Sequence, residues 1–439
     1  MKKVFTLFFA TLYGITTFGQ WSTTNLSEGK TSMGAVAYGS KVWFGGGATD
    51  TNATDKVEIY DLVTGVWDLE ELSVAREFVA AGAAGGKVLF AGGINFFTFE
   101  HYSRVDIFDT LTHARTTTEL PEQKFDVAAI GYGNQVFFAG GANLATGEFS
   151  AAVDIYNTVT GAWTTASLSE PGVVRAVASG SKLIFVGAAV MDIYDAATGI
   201  WTAQSLPDPK LFSGVALAEN HVYIAGGMHF DNTPTDRVDI YDLDTGAWTI
   251  STLSESRAFL NNAATACGKV FFAGGGSFDL NNNAWTSASN RVDVFDTVTG
   301  EWASDELTHP LMNHVVAANG DYVLVAGGWD LVSPSSFSTV EIYHCTTTGL
   351  VGPPSQVLRV SPNPTQDVAK IDLNDQLRGD CFVTLSDAFG RILYNGKLHD
   401  EGNPYYTIDL SGLQDGWYVV NLHNEAGSVC SKILKIAGL

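Results

Sequence analysis

The chain has 439 residues, with 24 Lys plus Arg against 47 Asp plus Glu and a formal charge of -23. So acidic a surface repels nucleic acid and anionic lipid, which excludes both as expected partners. Hydrophobic residues at 46% and charged residues at 16% exclude a disordered chain and fit a β protein long enough for two domains.

Lys2 and Lys3 precede an apolar run from Val4 to about Ile15, and Thr17-Phe18-Gly19 offers small residues for cleavage before Gln20. This predicts a signal peptide over residues 1–19, because a bilayer span needs about 20 apolar residues. No other stretch is apolar enough, so no membrane span is expected after cleavage.

From Gln20 onward one phrase recurs: Val57-Glu58-Ile59-Tyr60-Asp61, then Thr64-Gly65 and Trp67. It returns at Val153, Val238 and Val292 with Trp163, Trp248 and Trp302, and more weakly at Val105, Met191 (with Trp201) and Val340. Val, Ile and Tyr favour a pleated surface, and Thr-Gly supplies a turn where positive φ is cheap. Ahead of each phrase stand a strand of small residues and a strand ending in paired glycines, such as Gly92-Gly93. Only one pair is reduced, to Gly187-Ala188, which leaves blade four almost no loop between its second and third strands. Seven units result, with steps of 38 to 54 residues between their Tyr or Phe positions.

Four strands per unit, paired glycines, an aromatic, a turn and a Trp in fixed order resemble the kelch repeat of β-propellers. The resemblance covers residues 20–349 and implies an all-β ring of seven radially packed blades. Trp21, Trp67, Trp163, Trp201, Trp248 and Trp302 would wedge between blades. Trp21-Ser22-Thr23-Thr24-Asn25-Leu26 looks like a fourth strand with no blade before it, and the last unit lacks one. Together they would latch the ring and remove its open sheet edge.

Val351-Gly352-Pro353-Pro354 marks a linker over residues 350–357. Beyond it Ser361-Pro362-Asn363-Pro364, Phe389-Gly390-Arg391, Gly416-Trp417-Tyr418-Val419-Val420 and the basic-apolar Lys432–Ile436 follow one another. That order resembles the type A C-terminal sorting domain of the type IX secretion system, although Ala437-Gly438-Leu439 extends past the usual end. The resemblance implies a small immunoglobulin-like sandwich over residues 358–439, recognition by that machinery, export to the cell surface or medium, and a source in the Bacteroidota. The tail carries 7 basic and 10 acidic residues, so the acidity belongs to the propeller, with 15 against 37.

Four cysteines permit disulfides without making a scaffold. Cys381 and Cys430 are candidates to pair, and Cys267, among small residues, reads as a buried free thiol. An acid recurs in each phrase (Glu58, Asp106, Asp154, Asp192, Asp239, Asp293, Glu341), and seven-fold repetition marks it as structural. Asp61 and its equivalents at the turn read as acceptors of the turn's own amides. Tyr343-His344 is similar to the copper-binding pair of galactose oxidase, a kelch enzyme, but it occupies a repeat slot without a matching ligand set. The Asx-rich loops Asp50–Asp55 and Asp231–Asp236 are the only calcium candidates; no other cofactor is implied.

One rim of the ring holds the candidate ligand site. A cation precedes the first strand in five units: Lys30, Arg76, Lys124, Lys210 and Arg257, with Pro171 and Leu311 near that position in the other two. These cations face either the channel mouth or a neighbouring acid in an interblade salt bridge. Loops on the same face bring Phe97, Tyr102, Phe230, Trp285 and Trp329, which suit stacking on sugar rings or packing on a protein. A non-enzymatic binding or adhesion module for protein or carbohydrate is the leading reading. A carbohydrate-active enzyme and a structural surface component are the alternatives.

Overall fold

The structure, a computed structural model, describes residues 20–345 except 144, 145, 261, 262, 280, 281, 283 and 334. In the tail it describes 359–361, 365–372, 381–387, 392–398, 405–424 and 427–435. The expected signal peptide, the expected linker, and Pro362, Asn363, Pro364 and Gly390 of the sorting motif lie outside the described residues. The chain divides into two compact units, one ending at Thr347 and one beginning at Thr348.

The first unit is a seven-bladed propeller whose blades are four-stranded antiparallel sheets. Blade one runs Gly34–Tyr38, Lys41–Gly45, Lys56–Asp61 and Trp67–Glu71, from the channel outward. The second strands are buried almost throughout, as in Lys87–Ala91 and Gln135–Ala139, because both faces pack against neighbouring blades. First strands crowd the axis and are small, Ala80–Ala84 being Ala-Ala-Gly-Ala-Ala. Fourth strands alternate polar residues into solvent, as in Trp163–Ser167. The turn between strands three and four is closed by its acid, Asp61 Oδ1 accepting the amides of Val63 and Thr64 at 2.9 and 3.1 Å. Against the raising effect of burial, hydrogen bonds hold the half-buried carboxylates at Asp61, Asp242 and Asp296 below their usual range, chiefly from the turn amides at Asp61, the Thr245 hydroxyl at Asp242 and Lys269 at Asp296.

Closure follows the latch. Gln20–Asn25 pairs antiparallel with Thr339–His344 as the fourth strand of blade seven, whose own strands are Val315–Asn319, Tyr322–Ala326 and Thr339–His344. Leu26 and Met33 then bury against Val315, Leu324 and Val340, which seals blade one on blade seven. The Trp residues sit at these seams. Trp67 Nε1 donates to Thr24 Oγ1 of the latch at 3.1 Å, and Trp163 Nε1 to Thr118 Oγ1 of blade two at 3.4 Å. Trp21 Nε1 bonds Asp305 Oδ2 at 2.7 Å. Trp201, Trp248 and Trp302 lie beside the clusters shared by blades three and four, four and five, and five and six. All six are half-buried, so each contributes less than a fully buried indole. Blade two has no Trp here; Arg115 lies over Phe108 at 5.4 Å and reaches Glu70 of blade one at 3.5 Å.

Two cysteine expectations change. Cys267 is not a free thiol but is bonded to Cys345, with Cα atoms 6.3 Å apart. The repeat places the inner turn of blade six beside the end of strand three of blade seven, a proximity that sequence separation hides. Cys381 and Cys430, in contrast, stand on strands separated by Gly416–Asn424. Two strand spacings put their backbones about 10 Å apart, too far for a disulfide.

The tail forms two antiparallel sheets. One orders Arg359–Ser361, Val368–Asp372 and Tyr405–Asp409; the other orders Ile392–Leu398, Cys381–Asp387, Gly416–Asn424 and Gly427–Lys435. Ala369 and Ile371 from the first meet Val383, Leu385, Tyr418, Val420 and Ile433 from the second in one core. Gly416 opens the strand that brings in Tyr418, whose hydroxyl donates to Gln414 O at 2.6 Å. Lys435 is buried with its ammonium on the carbonyls of Leu410 and Leu413 at 2.8 and 2.6 Å.

Candidate functional site

The five cations do not line a ligand rim. Lys30, Arg76, Lys124, Lys210 and Arg257 are at most 1% exposed. Each pairs with the strand-three acid of the blade it leads into: Glu58, Asp106, Asp154, Asp239 and Asp293, at 2.6 to 2.9 Å. The pairing lies between a connection and its own blade, not across two blades. Burial holds Arg76 and Lys30 below their ordinary range, while the facing acids pull both back up. Arg76 also donates through Nε to Gly92 O at 2.7 Å and through Nη2 to Phe90 O at 3.2 Å.

The same acids hold the connection a second way. Asp106 Oδ1 accepts the amide of Ser73 at 2.9 Å, and Asp293 Oδ1 that of Ser254 at 3.0 Å. In blades three and five Pro121 and Pro207 stand at this place and have no amide to give. Blades four and seven do without the cation: Ser169 gives Asp192 both amide and hydroxyl, and Thr308 gives Glu341 both at 2.8 and 2.9 Å. The residue aligned with the cations in blade four is Gly172, one beyond the expected Pro171, because its carbonyl accepts Gly141 N as that of Lys124 accepts Gly93 N.

Two residues beyond each cation position the chain does what the sequence did not disclose. Ser32, Phe78, Asp126, Phe212, Phe259 and Asn313 all adopt left-handed backbone, with φ between 50 and 58°. Turned this way, Ser32 N donates to Asn313 O at 2.9 Å, Phe78 N to Ser32 O at 2.8 Å and Asp126 N to Phe78 O at 3.3 Å. Phe259 N donates likewise to Phe212 O at 2.9 Å. The bonds form an arc along the channel mouth from Asn313 through Ser32 and Phe78 to Asp126, with a separate link between Phe259 and Phe212. Non-glycine residues in this region cost about 1 kcal/mol or more each, and glycine would avoid the cost.

These six side chains line a cavity of about 470 Å³ with Arg175, His314, Phe278 and Trp285. One wall is aromatic: Phe212 stacks on Phe259 at 4.2 Å, Phe259 meets Trp285 at 4.5 Å, and Trp329 lies 6.4 Å from Trp285. Polar groups come from Ser32, Asn313 and the Asp126–Arg175 pair at 3.2 Å, and Gly, Ala and Val residues of the first strands line the remainder. Across the mouth Phe78, Phe96 and Phe125 make edge-to-face contacts at 5.8 to 6.0 Å. Of the rim aromatics read from sequence, Trp285 lines the mouth and Trp329 supports it. Phe230, 65% exposed, stands on a second cavity at blade four. Phe97, exposed on blade two, lines neither cavity, and Tyr102 is raised to about 12 by burial and by its hydroxyl bond to Glu100 at 2.8 Å.

His314 occupies the place of Met33, Val79, Val127 and Leu260, wedged between the glycine pairs of adjacent blades. A Cβ on Gly274 would come within 2.6 Å of its ring. Burial pushes its pKa down to about 4. The calcium candidates serve local bonding: Asp50 Oδ1 accepts Ser336 N and Oγ at 2.8 and 2.6 Å, and Asp231 Oδ1 accepts Thr233 N and Oγ1 at 3.0 and 2.6 Å. No group of three metal-ligating side chains occurs among the described residues. Tyr343 packs on Trp21 and Phe271, and His344 stacks on Tyr322 at 4.2 Å.

Residues 359–436 match the family described as the secretion system C-terminal sorting domain, and residues 209–251 match the kelch motif. No curated protein matches the chain. A solved structure titled "Structure of YjhT" is similar at 14% identity and a TM-score of 0.48, covering 61% of this chain and 94% of that one. The chain is a seven-bladed β-propeller of kelch type that carries a secretion system C-terminal sorting domain.

Proposed function

We propose that the propeller is a carbohydrate-binding module, carried to the cell surface or medium by its tail, with the channel mouth as its site. The observation that supports this most is the ring of six non-glycine residues held in left-handed backbone around the cavity. Strain at this position is tolerated where the side chain matters, and the side chains combine stacked rings with hydroxyl, amide and carboxylate groups. Aromatic faces beside polar edges suit a pyranose, which is apolar on its faces and hydroxylated at its rim. In this reading residues 1–19 are removed on export, 20–349 bind, 350–357 link, and 358–439 are recognised by the type IX machinery. A disulfide in the ring fits an oxidising destination.

The test is a glycan and surface-protein binding screen of the mature protein beside Phe212→Ala and Phe259→Ala. Glycan binding that both variants lose supports the reading; glycan binding untouched by either moves the site away from the mouth. Deleting residues 356–439 should leave the protein in the periplasm, and normal secretion of the truncated chain would overturn the export route.

A further inference from the structure

Blade four breaks the rim in three ways at once. Its second and third strands join through Gly187-Ala188-Ala189 with no projecting loop, Gly187 N bonding Val190 O at 2.9 Å. No residue at its mouth position is left-handed among the described residues, and the arc of backbone bonds from Asn313 ends at Asp126 beside it. In the gap lies a second cavity of about 280 Å³, which shares Val174, Arg175 and Phe212 with the mouth. Phe149 from blade three and Phe230 from blade five line it, 59% and 65% exposed.

We infer that the mouth and the blade-four notch form one trough for a linear oligosaccharide, one sugar seated in the mouth and the next ones leaving through the notch. The inference rests on the carbohydrate reading of the mouth. The two cavities meet at Arg175, which lines both; its Nη1 bonds Asp126 and Val174 O, and its remaining N–H groups are donors that hydroxyls at the junction can use. Exposed phenyl faces in the notch give sugar rings platforms beyond the first subsite. A peptide added as a strand would need backbone carbonyls to bond, and those of the notch floor are taken. Ala188 O already accepts Lys210 N at 2.9 Å, and Ala189 O accepts Leu206 N at 2.8 Å.

Titration calorimetry tests this with the mature protein and paired probes: glucose, N-acetylglucosamine and xylose, each against its β-1,4-linked tetrasaccharide. At least one tetrasaccharide should bind about tenfold more tightly than its monosaccharide, the gain of an added stacked ring. Ala188→Trp, which fills the notch, and Phe230→Ala, which removes a platform, should each erase that gain, with melting temperature confirming that both fold. A monosaccharide and tetrasaccharide that bind equally, or a gain that survives Ala188→Trp, overturns the trough and leaves the mouth reading intact. Sugar binding of either length that persists in Phe259→Ala overturns the mouth reading and the trough with it. Absence of binding by all six probes counts against both.

Discussion

Blades two and four show what the repeat requires and what it leaves open. In blade two the buried acid Asp106 is met by Arg76 at 2.8 Å and by the Ser73 amide at 2.9 Å. In blade four the corresponding Asp192 has no cation and is held by the amide and hydroxyl of Ser169. The constant element is therefore a buried carboxylate that ties down the incoming connection; its counter-group is negotiable. Blade four has also lost its loop and its left-handed mouth residue, and there the rim opens, whereas blade seven, equally without the cation, keeps Asn313 left-handed.

The largest way to break this comparison is Arg76→Met. It removes the guanidinium from Asp106 and from the carbonyls of Gly92, Val74 and Phe90. A buried carboxylate stripped of its partner costs about 3–5 kcal/mol, and this one should lie near the upper end. Replacing Asp106 with Leu in the same protein should return much of the loss, since the uncompensated charge goes too. Chemical denaturation of both variants decides it; a single-variant loss below about 1 kcal/mol would mean that the pair is not an anchor.

Blade seven also lacks the cation, with Leu311 in its place, but the end of its third strand is fixed to blade six by Cys267–Cys345. Their separation of 78 residues makes the clasp worth about 4 kcal/mol on the loop-entropy scale. Cys345→Ser should lower the melting temperature accordingly. Reductant should then lower the wild type to the same value and leave the variant unmoved.

The contrast between blades explains what was readable in advance. Architecture repeats, so strand order, glycine pairs, the latch and the structural role of the seven acids could be taken from the letters alone. The orientation of the five cations could not, because the same spacing lets a long side chain reach the channel or fold back onto an acid. Two proximities were invisible for another reason: Cys267 with Cys345, and Asp126 with Arg175, are neighbours only once adjacent blades are placed side by side. The left-handed ring left no single residue type, since beside Phe78, Phe212 and Phe259 it uses Ser32, Asp126 and Asn313. What could have exposed it is the fixed offset of two from each cation.

His314 distinguishes blade seven from the blades that use Met33, Val79 or Leu260 at that wedge. Folded, its imidazole titrates near 4; unfolded, near 6.5. As pH falls through that window the unfolded chain takes up the proton first, so stability is full above it and is lost through it. The loss amounts to about 3 kcal/mol by pH 4. His314→Met should flatten this acid limb while leaving neutral-pH stability nearly unchanged. Melting curves from pH 4 to 7 that run parallel for the two proteins would exclude the residue as the cause.

The smallest effect sharpens the comparison most. Ser169→Ala keeps the backbone amide on Asp192 but removes the hydroxyl, and a hydrogen bond to a buried charge is worth about 1.5–3 kcal/mol. The exposure of Ser169 lets water replace part of that, so about 1.5 kcal/mol is expected. If the counter-group is negotiable, a cation placed where the other blades carry one should make good the loss. Gly172 is that position, and a Cβ there meets no atom within 4 Å. Gly172→Lys added to Ser169→Ala should therefore recover most of the stability, with an ammonium reaching Asp192 as Lys124 reaches Asp154. Recovery would establish that blade four gave up its cation without giving up its anchor. A double variant no more stable than Ser169→Ala would mean that the connection in blade four runs differently, and that Ser169 is the only group able to serve Asp192.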